Sequence, residues 1–231
     1  MWCWFTKMVQ AFASRLEGTV SAVWSEDAVA HRRSDRPNEV TEHNTSLPAG
    51  GPTDLELVVR SYPPDGDQLS HRVALDALES DRPMWPRSEF DPGHFTASGF
   101  VASPDGTAML LILHGKLGRW LQPGGHVESG DDTVEDVVRR EVSEETGVRD
   151  IERLGRSLLR IDAHTIPQHA AEPEHTHIDL GMGFHALDEK IGPLDEVIDA
   201  RWVRFDELHR YAVDNAVLKG ASMLRKMVEG G

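Results

Sequence analysis

Arg140, Glu141, Glu144 and Glu145 fall within a single turn if residues 133–146 are helical. At about 100° per residue, Val134, Val137, Val138 and Val142 then share one face, and Glu141 and Glu145 fall on that same face. An amphipathic helix normally turns its charges away from the core, and burying an unpaired carboxylate costs on the order of several kcal/mol. Arg140 alone cannot balance three glutamates. A divalent metal can, and Mg2+ takes oxygen ligands of this kind, with Mn2+ as a substitute. The alternative is a slightly rotated helix whose glutamates form a solvated face.

Two further groups of residues could do chemistry. In an extended strand His175, His177 and Asp179 project from one side. They could line a pocket as donors to phosphate or as proton shuttles, hold a separate transition metal, or belong to an ordinary half-exposed hairpin. Lys116 and Arg119 precede a glycine turn together with Trp120, where a cation and an indole could hold a phosphate and a base, although Trp120 serves equally well as core.

These side chains need elements to position them. Gln122-Pro123-Gly124-Gly125 allows a tight turn with exposed amides and carbonyls. Asp132 or Thr133 can cap the acidic helix, with Glu135 or Asp136 completing a capping box, and Gly147 can end it. Upstream, residues 94–103 and 107–114 read as strands joined by the turn Pro104-Asp105-Gly106. The apolar run from Met109 to Leu113 suggests a strand covered on both faces. Downstream we expect a strand over 151–161, ended by residues 162–167. A second strand runs from the His175 region through His185, and a short third over 200–204. A helix opens at Phe205 with Asp206 as its cap, and a last helix covers 215–228.

The run Arg140-Glu141-Val142-Ser143-Glu144-Glu145-Thr146-Gly147-Val148 resembles the second half of the Nudix box, G-x5-E-x7-R-E-U-x-E-E-x-G-U with U apolar, at every specified position. Counting back from Arg140 puts Asp132 where the box has its first glutamate, with one extra residue after Gly125, in the turn of residues 128–131. The resemblance implies an α/β Nudix fold over residues 94–228, a mixed β-sheet sandwiched between α-helices. It also implies hydrolysis of a nucleoside diphosphate linked to another moiety, by water attacking phosphorus. By position it makes Glu141, Glu144 and Glu145 the Mg2+ ligands, with the Gly125 carbonyl as an extra one and Arg140 orienting Glu141. The general base stays open among Glu141, Asp179, Asp195 and Glu196. A regulatory Nudix module that binds nucleotide without turnover is the alternative. A prenyl diphosphate isomerase would need a catalytic cysteine, and Cys3 lies far from the box.

The chain has 231 residues, enough for one sizeable core and an appendage. Its net charge of −15 and pI near 5.2 argue against duplex nucleic acid and anionic membrane as partners, but not against a small anionic nucleotide. A single cysteine rules out an internal disulfide and fits a reducing, cytoplasmic setting. Residues 1–24 read as an amphipathic arm, docking on the domain or on an identical partner in a homodimer, with a secretory signal as the weaker reading. Residues 25–53 read as a polar linker or disordered segment, and 54–93 as two helices broken at Pro63-Pro64-Asp65-Gly66, followed by an irregular connector that leads into the domain.

Overall fold

The computed structural model describes residues 51–63, 65–194 and 196–230. The expected arm, Cys3, most of the polar linker and Asp195 lie outside the described residues.

Strand β1 (Gly93–Ala102) is the axis of the sheet, and all ten of its residues are buried. It pairs antiparallel with β2 (Ala108–His114) and β4 (Gly124–His126), and parallel with β7 (His175–Ala186) from Gly93↔Thr176 to Ala102↔His185. Strands β3 (Arg119–Leu121) and β8 (Asp199–Arg204) add to β2, while β5 (Ile151–Arg153) and β6 (Arg160–Ile166) add to β7. The result is the mixed sheet expected from the sequence. Its β1–β2 turn forms because Gly106 takes a φ of 69° and Asp105 accepts from Ser103 Oγ at 2.6 Å and from Thr107 N at 3.0 Å.

Side chains alternate across a strand, so β1 feeds two cores. Phe95, Ala97 and Val101 join the first core, which includes residues of α1 (Leu55–Arg60), α2 (Gln68–Leu78) and α3 (Val134–Thr146). Phe100 and Ala102 join the second, with α4 (Asn215–Gly230). Gly220 of α4 lies so close to Phe100 that an added Cβ would sit 2.5 Å from ring atom Cζ, and nearer still to Cε1. Alanine gains up to about 1 kcal/mol of helix propensity over glycine. Overpacking a filled core costs about 1–3 kcal/mol, so Gly220→Ala is expected to lower the denaturant midpoint despite its better helix propensity.

Three local expectations need correction. The strand expected over 151–161 is interrupted, because Gly155 adopts a φ of 71°; β6 instead begins at Arg160 and continues through Ile166, past its expected end. The helix expected at Phe205 is only a 3-10 turn, Leu208–Arg210. Asp206 does not cap it, since its carboxylate accepts from Arg204 Nε at 3.2 Å. The polar segment also stops short of Thr53. Pro52 is buried, and Thr53 donates its backbone N–H to the Asp132 carbonyl at 2.8 Å.

Candidate active site

The acidic helix forms as its sequence specifies. Thr133 Oγ1 accepts from Asp136 N at 3.1 Å, and Asp136 Oδ2 accepts from Thr133 N at 2.9 Å, closing the capping box. Asp54 adds a second cap from outside the helix, with Oδ1 accepting from Val134 N at 2.8 Å. Gly147 ends the helix in the left-handed conformation. Val134, Val137, Val138 and Val142 are buried, and Glu141 and Glu145 are buried beside them.

Both acids meet the glycine strand. Glu145 Oε2 accepts from Gly124 N at 2.9 Å. Glu141 rests on Gly125 so closely that a Cβ there would lie 2.5 Å from its Cδ and 2.8 Å from Oε2. Any larger residue there would push the Glu141 carboxylate from this position. Arg140 supplies the counter-charge, with Nη1 donating to Glu141 Oε1 at 2.9 Å and to Glu144 Oε2 at 3.0 Å. Its Nη2 donates to the His126 carbonyl at 2.7 Å.

The guanidinium also grips Asp131 on two sides, Nε to Oδ1 at 3.1 Å and Nη2 to Oδ2 at 3.0 Å. The acid that meets Arg140 is therefore Asp131, not Asp132 as counting back suggests. Asp131 also closes its own turn by accepting from Glu128 N at 2.8 Å, whereas Asp132 is exposed and its carbonyl is taken by Thr53. The extra residue thus falls between Asp131 and the helix.

Burial is the main reason that Glu145 is pushed up to about 8; the Gly124 N–H opposes the shift, and Glu141, Glu196 and Glu144 add to it. Glu141 is raised too, by burial against the pull of Arg140. Burial works against charge on Arg140, but Asp131, Glu141 and Glu144 outweigh it and hold the guanidinium protonated. Glu196, though exposed, lies near enough to raise both buried acids. For Glu145 the folded value near 8 exceeds its ordinary 4.5. Its contribution to stability is therefore complete below about pH 4.5 and is lost as pH rises through about 8. At about 1.4 kcal/mol per unit, the melting temperature of the chelator-treated protein should fall between about pH 5 and 8. Glu145→Gln should flatten that slope in a calorimetric pH series.

A polar patch occupies the other face of the sheet. His94, Thr96 and Ser98 share the strand parity of Phe100, and the register sets His94 beside His177, Thr96 beside Asp179 and Thr96 opposite His126. His175, His177 and Asp179 do lie on one side of β7, as expected. Asp179 accepts from Ser98 Oγ at 2.6 Å and from Thr96 Oγ1 at 3.2 Å, and burial raises its pKa. The rings of His94, His126, His175 and His177 gather here with centroids 4.7 to 5.2 Å apart. Burial first, and then neighbouring imidazoles, push His126 down to about 4 and His177 to about 2.

Lys116 and Arg119 are exposed near the β2–β3 turn, and their side chains form no hydrogen bond or ion pair among the described residues. Trp120 packs against the second core, its ring 5.3 Å from Tyr211 and under Arg201 at 5.3 Å. Sequence reasoning did not single out His94, His126 or Asp131. The alternation His94-Thr96-Ser98 on a buried strand was the available signal.

In structure the chain is similar to a Nudix-family hydrolase of Clostridium perfringens, at 24% identity and TM-score 0.45, covering 59% of this chain and 96% of that one. It is also similar to the NUDIX domain of Shewanella oneidensis NrtR, solved with ADP-ribose, at 18% identity and TM-score 0.46, covering 67% and 97%. A third likeness is to an Ap4A hydrolase of C. elegans, at 16% identity and TM-score 0.43, covering 59% and 98%. No curated protein matches the sequence. The family model for the NUDIX domain matches residues 93–226, more than half of the chain, so the chain belongs to the Nudix family.

Proposed function

We propose that the protein is a Mg2+-dependent pyrophosphohydrolase acting on a nucleoside diphosphate linked to another moiety. The observation that carries this reading is the buried carboxylate pair Glu141 and Glu145, seated against Gly125 and Gly124 respectively, with Glu141 sharing the Arg140 guanidinium with Glu144. A surplus of acids in a half-buried site suits a divalent cation. Glu141, Glu144, Glu145 and the Gly125 carbonyl are its ligands in this reading, and Mn2+ fits the same oxygen set. When bound, the ion neutralises phosphate oxygens and lowers the pKa of water.

The chain's own residues supply position. Arg140 fixes the carboxylates of Glu141 and Glu144, and the Gly124 N–H fixes that of Glu145. Glu196 is our choice of general base. It is exposed and close to the buried acids, whereas Asp179 already accepts from two hydroxyls on the opposite face of the sheet. Lys116 and Arg119 are free to meet an anionic substrate from the β2–β3 end.

A panel of nucleoside triphosphates, nucleotide sugars, ADP-ribose and dinucleoside polyphosphates, assayed with Mg2+, Mn2+ or chelator, tests the proposal. Metal-dependent cleavage of a phosphoric anhydride is the expected result, and the products identify the bond. Tight nucleotide binding without turnover under either metal would overturn it in favour of a regulatory module.

A further inference from the structure

Three imidazoles on the face of the sheet away from α3 converge without a role in the chemistry above. His94 on β1, His126 on β4 and His177 on β7 each offer one ring nitrogen, and these nitrogens all lie within 4.8 Å of one another. Residues far apart in the chain meet here because β1 pairs with both other strands.

His94 is the most telling of the three. Its Nδ1 lies 2.8 Å from the Glu89 carbonyl oxygen, which can only accept, so Nδ1 holds the ring proton and Nε2 carries a lone pair. That Nε2 is buried and has no hydrogen-bond partner among the described residues. Histidines that ligate metals commonly donate their other N–H to a backbone carbonyl in this way, which fixes tautomer and ring orientation. The His126 and His177 rings likewise form no hydrogen bond among the described residues.

The surroundings favour a nitrogen-seeking ion. The adjacent carboxylates are engaged, Asp179 with Ser98 and Thr96, and Asp162 with Arg160 and His164. His175 stacks on His94 with centroids 5.1 Å apart, its own Nδ1 lying 2.8 Å from the Pro173 carbonyl oxygen. Phe90 packs its ring against both, at 6.5 and 5.0 Å between centroids. Mg2+ is excluded as the occupant because it demands oxygen, whereas three imidazoles with one position left open match a Zn2+ site.

We infer that His94, His126 and His177 bind one Zn2+ on the face of the sheet opposite the acidic helix. The site is independent of the Mg2+ reading.

The full chain, stripped with chelator, is titrated with Co2+ followed by its ligand-field absorption, then with Zn2+ by calorimetry and by melting temperature. With saturating Mg2+ present to occupy the acidic site, one tetrahedral Co2+ per chain is expected from the band intensity, displaced by Zn2+, with a rise in melting temperature as the folded state alone binds. Because replacing fully buried His94 would perturb folding as well as binding, His126→Gln and His177→Gln are the main variants. Each should weaken Zn2+ at least roughly a hundredfold while melting like the metal-free parent. His164→Gln and Glu144→Gln should keep the Co2+ spectrum. Zn2+ binding weaker than millimolar would overturn the inference, as would loss of the spectrum in Glu144→Gln with its retention in both histidine variants.

Discussion

Glu144→Gln is expected to lower metal-dependent turnover by about a hundredfold to a thousandfold, the usual cost of removing one electrostatic group from a catalytic centre, and to leave the melting temperature nearly unchanged. The side chain of Glu144 is 46% exposed, and its only hydrogen-bond or ion-pair partner among the described residues is Arg140, at 3.0 Å. A surface pair of this kind is worth about 0–1 kcal/mol, and glutamine keeps an oxygen to accept from Nη1. Glu141 and Glu145 make poorer probes, because both are buried and changing either alters folding as well as chemistry. Near-normal kcat in Glu144→Gln, measured at saturating Mg2+, would remove this acid from the metal site.

Arg140→Ala carries the largest expected cost to stability, about 3–5 kcal/mol, the range for stripping the partner from buried charges. Its side chain is 19% exposed, and its guanidinium serves Asp131, Glu141, Glu144 and the His126 carbonyl together. Without it, the buried carboxylates of Asp131 and Glu141 both lose their cation. Lysine restores the charge but not the fork that grips Asp131 on both oxygens, so Arg140→Lys should recover only part of the loss. Urea midpoints of the two variants measure this. Equal stability of Arg140→Ala and the parent would show that the acids are protonated or solvated without the guanidinium.

What the sequence revealed depended on how local each interaction is. The helix over 134–146 was legible because its valine spacing, Thr133-Asp136 box and Gly147 stop all lie within one stretch of chain. The β1–β2 hairpin was legible for the same reason, since Asp105 and Gly106 make the turn themselves. The histidine cluster was half legible: His175 and His177 announce a shared side, but His94 reaches them only through a parallel pairing that no local pattern specifies. Counting placed the first acid at Asp132 because spacing alone cannot tell which of two adjacent aspartates folds back. The turn closed by Glu128 N settles it in favour of Asp131. Asp206 resembled a cap until Arg204, two residues before it, claimed its carboxylate.

The cap that Asp54 places on Val134 N has a consequence for where the protein begins as a thermodynamic object. The family match starts at residue 93, yet Leu55, Val59, Tyr62, Ala74 and Trp85 share the first core with α3, and the Met84 carbonyl accepts from Phe95 N at 2.6 Å. The Nudix module and the cooperative unit therefore have different boundaries. A chain cut at residue 93 would keep every proposed metal ligand yet expose apolar residues of the first core and lose the Asp54 cap on the first turn of the acidic helix. The residues before the family match are therefore part of what holds the acidic helix in place.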